Sequence, residues 1–193
     1  MMSFVGLTMT SCAQNTKNTE MNNANRKILI AYFSRADENY GVGTITEGNT
    51  EIIAKMIAEK TGGDLFHIET VAPYPAEYNA CIEVAKKELQ ADARPEIKGD
   101  VKVEDYDVIY IGYPNWWGEP PMALYSFIEK HDWSGKTVIP FITHEGSGFG
   151  GTDRKVAAAC KGADSKPGLA VYGHVAQKER DNARNAVSEW LRQ

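Results

Sequence analysis

Three short segments hold most of the residue types that bind ligands or do chemistry. The first, Tyr113-Pro114-Asn115-Trp116-Trp117-Gly118-Glu119-Pro120-Pro121, places two adjacent tryptophans, half of the four in the chain, in a loop punctuated by Gly and Pro. Loops run over the surface, so two indoles there require a flat aromatic partner or a packing reason. Their faces suit stacking on a planar heterocycle, and the loop amides suit the polar edge of such a ring. The second, Thr143-His144-Glu145-Gly146-Ser147-Gly148-Phe149-Gly150-Gly151-Thr152, carries four glycines within six residues, which lets backbone approach a ligand closely. His144-Glu145 suggests acid–base chemistry, but no Ser or Cys nucleophile follows a strand–turn–helix elbow. A lone loop histidine is then a hydrogen-bonding or stacking wall. His67, His131 and His174 show no ligand-like spacing.

The third segment runs from Ser34-Arg35 through Tyr40 to Thr46-Glu47-Gly48-Asn49-Thr50. Hydroxyls at Ser34, Thr46 and Thr50, with N–H groups around Gly48-Asn49-Thr50, suit one anion at a helix N-terminus. This segment contains no Walker-type Lys and no G-x-G-x-x-G, which argues against a nucleoside triphosphate or a dinucleotide. Asp37, Glu38 and Glu47 oppose a polyanion, whereas a single phosphate near Arg35 is tolerable. The plain alternative is an ordinary capped helix after a long loop.

The elements that must position these loops are legible from periodicity. Ile28 to Phe33 is a continuous apolar run, as expected of a strand buried on both faces. Ile52, Ile53, Met56 and Ile57 mark one face of a helix starting near Asn49. Asp64 to Glu69 reads as a second strand, and Ile82, Ala85 and Leu89 as the buried positions of a second helix. Asp107 to Gly112 is a third strand, and Met122 to His131 a third helix with Pro120-Pro121 at its first turn. Thr137 to Thr143 is a fourth strand, and Thr152-Asp153 is expected to cap a helix to about Lys161. Leu169 to Tyr172 is a fifth strand, and Ala183, Ala186, Val187, Trp190 and Leu191 mark a last helix. Alternating strands and helices imply a parallel sheet with helices on both faces, in one domain over residues 27–193. In such sheets ligands bind beyond the carboxyl ends of the strands, where strand order reverses.

The 193 residues are 42% hydrophobic and 24% charged, ordinary for a soluble domain. A formal charge of −5 argues against a general nucleic-acid binder. Cys12, Cys81 and Cys160 form no C-x-x-C pair, against a zinc or thioredoxin-like motif. Cys81 and Cys160 fall in helical patterns and read as buried thiols. Phe4 to Cys12 is a short apolar stretch ending in small residues before a cysteine, followed by Asn/Thr-rich sequence. This resembles a bacterial lipoprotein signal with Cys12 as the acylated position, although no Lys or Arg precedes it and Met9 stands where Leu is usual. Residues 1–26 are therefore expected to be a leader and flexible tether, with a lipid anchor at Cys12 and a place in the cell envelope. The alternative is a cytoplasmic protein with a plain leader.

Strand one ending in Tyr-Phe-Ser, Thr46-Glu47-Gly48-Asn49-Thr50, Tyr113-Pro114-Asn115-Trp116-Trp117-Gly118 and Thr143-His144-Glu145-Gly146-Ser147-Gly148, taken together, resemble the flavodoxin family in its short bacterial branch. The match covers Lys27 to Gln193. That family is itself a standing illustration of the switch-point rule, with FMN between strands one and three of a sheet ordered 2-1-3-4-5. The resemblance implies this three-layer α/β fold with FMN as cofactor. It implies that Ser34, Arg35, Asn49 and Thr50, with Thr46 and Gly48, hold the FMN phosphate. It further implies that Pro114 to Gly118 and Thr143 to Gly148 flank the isoalloxazine, with Trp116 as principal aromatic wall and Trp117 as fallback. Amides near Trp117-Gly118 would face the flavin N5 edge. The sequence departs from the family where residues 35–47 separate the first Ser from Gly-Asn-Thr, which puts the role of Arg35 in question and suggests a flap carrying Tyr40. The function implied is electron transfer to a redox partner protein or small acceptor. The alternatives are an FMN-dependent NAD(P)H or quinone oxidoreductase, and an FMN-free surface-attached binding protein. No catalytic side chain and no metal ligand is assigned.

Overall fold

The computed structural model describes residues 26–193. The leader reading, including Cys12, lies outside the described residues. The elements begin with β1 (Ile28–Tyr32), β2 (Asp37–Asn39), β3 (Gly43–Ile45), α1 (Asn49–Thr61), β4 (Asp64–His67), α2 (Tyr78–Gln90) and β5 (Val108–Pro114). They continue with α3 (Met122–Ile128), β6 (Thr137–His144), α4 (Thr152–Ala159), β7 (Asp164–Ser165), β8 (Leu169–Tyr172), α5 (Gly173–Lys178) and α6 (Arg180–Trp190).

The main sheet is parallel throughout, in the order β4-β1-β5-β6, with β7 and β8 both on the outer edge of β6. This is the expected 2-1-3-4-5 arrangement, except that the fifth position is filled in two pieces. β7 pairs with Thr137–Val138 and β8 with Phe141–His144. Pro167 stands between the pieces and has no N–H to give the ladder.

Alternate residues of each central strand feed opposite layers, as the two-residue strand repeat requires. Leu29, Ala31, Phe33, Ile109, Ile111 and Tyr113 pack on the face covered by Ala123, Leu124, Phe127 and Ile128 of α3. Ile30, Tyr32, Val108 and Tyr110 pack on the other face against Ile52, Ile53, Met56 and Ile57 of α1 and Ala183 and Val187 of α6. Both sides of the sheet are therefore closed, and ligand access is left at its ends. β1 and β5 are neighbours whose chains leave in opposite directions, β1 toward β4 and β5 toward β6, so the switch point falls between them.

Two local expectations change. Thr152 does not cap α4 with its side chain; Gly151 holds the N-cap position, and the Thr152 hydroxyl donates to Phe149 O at 2.7 Å. The segment between Ser34 and Gly48 is no open loop, because β2 and β3 form an antiparallel hairpin in it.

Candidate functional site

The first part of the site is the N-terminus of α1. Gly48 is its N-cap, with no side chain to close the end. The first amides of a helix have no intrahelical acceptor, and among the described residues nothing accepts from Asn49 N or Thr50 N. Glu51 N is taken by Ser34 Oγ at 3.1 Å. The cradle is tight: a Cβ on Gly48 would stand 2.1 Å from Ser34 Oγ and 2.7 Å from Arg35 O. Only glycine allows the segment after β1 and the helix end to approach this closely. The Thr50 hydroxyl is buried against that of Thr143 at 2.7 Å. Acidic side chains beside the cradle are neutralised in pairs: Glu47 meets Lys55 and Arg180, each at 2.8 Å, and Glu51 meets Lys55 at 2.6 Å. The open amides and the helix dipole thus set the local field, which favours one compact anion.

Arg35 lines the pocket, but its guanidinium is committed to backbone carbonyls. The Arg35 guanidinium donates to Glu38 O at 2.7 Å, Pro75 O at 2.8 Å and Ala76 O at 3.1 Å. It staples the hairpin to the segment before α2. Thr46 is exposed on the return of the hairpin.

The tryptophan loop is a two-residue turn closed by Trp116 N to Glu119 O at 2.9 Å and Glu119 N to Trp116 O at 3.0 Å. Trp117 and Gly118 both take positive φ, 58° and 77°, the signature of a primed turn. Asn115 Oδ1 accepts from Gly118 N at 2.9 Å, which commits the amide expected at a ring edge. The two indoles have different environments. Trp116 is half-buried edge-on to Phe33 at 5.2 Å and to Tyr74 at 5.1 Å. Trp117 is 50% exposed, its Nε1 donating to Ile82 O at 3.1 Å and Lys86 Nζ lying 5.3 Å from its ring. Trp116 has the packing reason, and Trp117 presents the more exposed ring.

The loop after β6 brings His144 and Glu145 to the same end. His144 Nδ1 accepts from Gly146 N at 2.9 Å, so its proton sits on Nε2. Loss of solvent holds this imidazole below the usual histidine range; the Glu145 carboxylate opposes the shift and His174 adds to it. Glu145 does not pair with its neighbour. Its carboxylate accepts from His174 N at 2.7 Å and faces His174 Nδ1 at 2.7 Å, tying the loop to α5. Gly146, Ser147 and Gly148 follow at the rim, with Ser147 Oγ donating to Gly148 O at 3.1 Å.

These parts enclose one pocket of about 260 Å³ at the carboxyl end of the sheet. Pro114, Asn115, Trp116, Trp117, Thr143, His144 and Glu145 line it from the two later loops, and Asn49 from α1. Ser34, Gly48 and Thr50 of the anion cradle do not line it, and Asn49 joins the open helix end to the ring pocket. Seven further residues line the pocket: Arg35, Asn39 and Tyr40 from the hairpin segment, and Tyr78, Cys81, Ile82 and Ala85 from α2. Helical periodicity had marked Ile82 as core. The contacts that place it at the pocket, including Trp117 Nε1 donating to its carbonyl, are tertiary. Cys81 is buried, and burial raises its thiol pKa.

A family model described as flavodoxin matches residues 27–191. Among curated proteins, none matches this sequence. Among solved structures, a candidate flavoprotein from Bacteroides uniformis ATCC 8492 is 28% identical with a TM-score of 0.68, over 87% of this chain and 99% of that one. Another from Bacteroides eggerthii DSM 20697 is 30% identical with a TM-score of 0.64, over 82% of this chain and 98% of that one. A flavoprotein from Lactobacillus acidophilus NCFM, solved in complex with FMN, is 19% identical with a TM-score of 0.60, over 81% and 97%, and shows the shared fold. Since the family model spans the whole sheet and every loop of the site, this chain belongs to the flavodoxin family.

Proposed function

We propose that the chain binds FMN at the β1/β5 switch point and carries electrons through it to a redox partner protein or a small acceptor. FMN is the cofactor that family membership assigns, and the residues present suit it. One observation carries the reading: Asn49 belongs both to the open N-terminus of α1 and to the lining of the aromatic pocket. A ligand with a phosphate at one end and a flat ring at the other spans that pair of features. The N–H groups of Asn49 and Thr50 would hold the phosphate, and Trp117, His144 and the Pro114–Asn115 backbone would border the ring. FMN supplies the redox chemistry; the chain supplies position, exclusion of water and electrostatics.

The visible absorption spectrum of the purified protein tests this directly. Flavin bands, and one FMN taken up per chain on titration, are expected. A colourless protein that takes up no added FMN overturns the reading and leaves a flavin-free binding protein. The second reading, an FMN-dependent oxidoreductase acting on NAD(P)H or a quinone, is favoured by the hairpin and α2 residues that add walls to the pocket. Turnover with NADH, NADPH or a quinone separates it from a carrier that reacts only with a protein. The envelope location through Cys12 belongs to the same proposal. Labelling with a fatty acid that is lost in Cys12→Ser supports it, and an unlabelled wild type removes it.

A further inference from the structure

Residues 35–47 rise from the place where a phosphate loop would close and return to it, and the hairpin between them is held at three levels. At its base the Arg35 guanidinium reaches Pro75 O and Ala76 O. At mid-height Glu38 N donates to Ala76 O at 3.1 Å, and the Glu38 carboxylate accepts from Tyr78 N at 2.8 Å. At the tip Gly41, with φ of 77°, lies so close to Glu145 that a Cβ there would stand 2.9 Å from its Cδ. Glu145 is itself fixed by His174. The hairpin is therefore strapped from the start of α2 to the loop after β6, across the pocket mouth.

The side chain carried at the crossing is Tyr40. It lines the pocket, sits 6.1 Å from the Tyr78 ring at 32° to it, and is nevertheless 67% exposed. The exposed ring therefore lies at the pocket that it lines, with Tyr78 beside it. The pocket is on one side of it, and Trp117 stands further along α2, its Nε1 donating to Ile82 O one turn after Tyr78.

We infer that the β2–β3 hairpin is a fixed roof of the ring pocket and that Tyr40, backed by Tyr78, covers the flavin ring from the hairpin. This rests on the proposed FMN site and assigns to it a wall that the family's motif segments do not contain. Arg35 then acts as a positioning residue for the roof, not as a phosphate ligand. Because Tyr40 meets the ring, its loss acts equally on ligands with and without a phosphate.

The test uses the full chain and measures FMN and riboflavin dissociation constants and iodide quenching of bound-flavin fluorescence for wild type, Tyr40→Ala and Tyr40→Phe. Tyr40→Ala should weaken both ligands roughly ten-fold, as one aromatic stacking contact does. It should also brighten the bound flavin and open it to iodide, while Tyr40→Phe stays near wild type. Gly41→Ala, whose added methyl meets Glu145, should shift the same readouts in the same direction. Unchanged affinity and quenching in Tyr40→Ala overturn the roof and leave Tyr40 as an exposed protein-docking residue. A loss for FMN alone also overturns it, moving Tyr40 to the phosphate. If wild type binds neither flavin, the FMN reading fails and the roof with it, an outcome distinct from both.

Discussion

The Thr50 and Thr143 hydroxyl oxygens lie 2.7 Å apart, joining the first turn of α1 to the end of β6. Both residues are buried, and one proton lies between the two oxygens. If Thr143 donates it, the Thr50 proton is free to turn toward the amides of the cradle, where an anion would accept it. A hydroxyl has one donor and two acceptor sites, so this order is the one that lets Thr50 serve both partners.

Replacing Thr50 with Val keeps the shape and removes the hydroxyl. Thr143 then loses its buried partner, at a cost of about 1–3 kcal/mol in stability. FMN affinity should fall while riboflavin affinity stays nearly constant. Chemical denaturation and parallel titrations with the two flavins measure these effects. Equal losses for both ligands would remove Thr50 from the phosphate.

The adjacent tryptophans should separate by phenotype. Trp117→Ala should weaken FMN and riboflavin roughly ten-fold, the scale of one stacking contact, with little change in the urea midpoint. Trp116→Ala should instead remove packing against Phe33 and Tyr74. Its cost should be about 2–3 kcal/mol, below that of a fully buried aromatic. The reverse assignment, a ring-binding Trp116 and a structural Trp117, predicts the opposite pair of results.

Much of this was legible in the sequence because it is local. The two-residue alternation that sends Leu29 and Ala31 to one face and Ile30 and Tyr32 to the other is written in a continuous apolar run. The anion cradle is likewise local, since glycine and open amides at a helix start need few distant contacts. The indoles were not separable. Spacing cannot say which of two neighbours turns inward, and a positive φ at Trp117 is uncommon for such a residue. The hairpin was hidden for another reason. Its strands are three residues each and mostly polar, and its anchors at Ala76, Tyr78 and Glu145 are far away in sequence. The same holds for Glu145, whose partner is His174 across the site and not the adjacent His144.

Thiol chemistry offers an independent map of the pocket. Burial raises both Cys81 and Cys160, the latter to about 12. Since the thiolate is the reactive form, in a Cys12→Ser background the folded protein should react with a disulfide reagent only slowly at pH 8, and denaturation should release two thiols. Cys81 lines the pocket and Cys160 does not. Added FMN should therefore slow Cys81 specifically, as read by mass spectrometry of the labelled peptides. Equal protection of both would trace the effect to global stabilisation.

His144 gives the site a pH dependence whose sign is fixed by its surroundings. Its folded pKa is depressed, chiefly by loss of solvent, while in the unfolded chain it returns to about 6.5. The stability tied to neutral His144 is therefore complete above that value. It is lost as pH falls toward the depressed one, because the unfolded chain takes up a proton that the folded chain refuses. The geometry agrees. Protonation of Nδ1 would end its bond from Gly146 N and loosen the loop that carries Glu145. His144→Asn retains an acceptor near the Nδ1 position and cannot titrate in this range. Between pH 7 and 5, urea denaturation should show wild type losing more stability than His144→Asn, by less than about 1.4 kcal/mol per pH unit for one proton. The imidazole resonances should titrate below the ordinary histidine midpoint. Identical slopes in the two proteins would assign the acid sensitivity to other groups and remove His144 from the linkage.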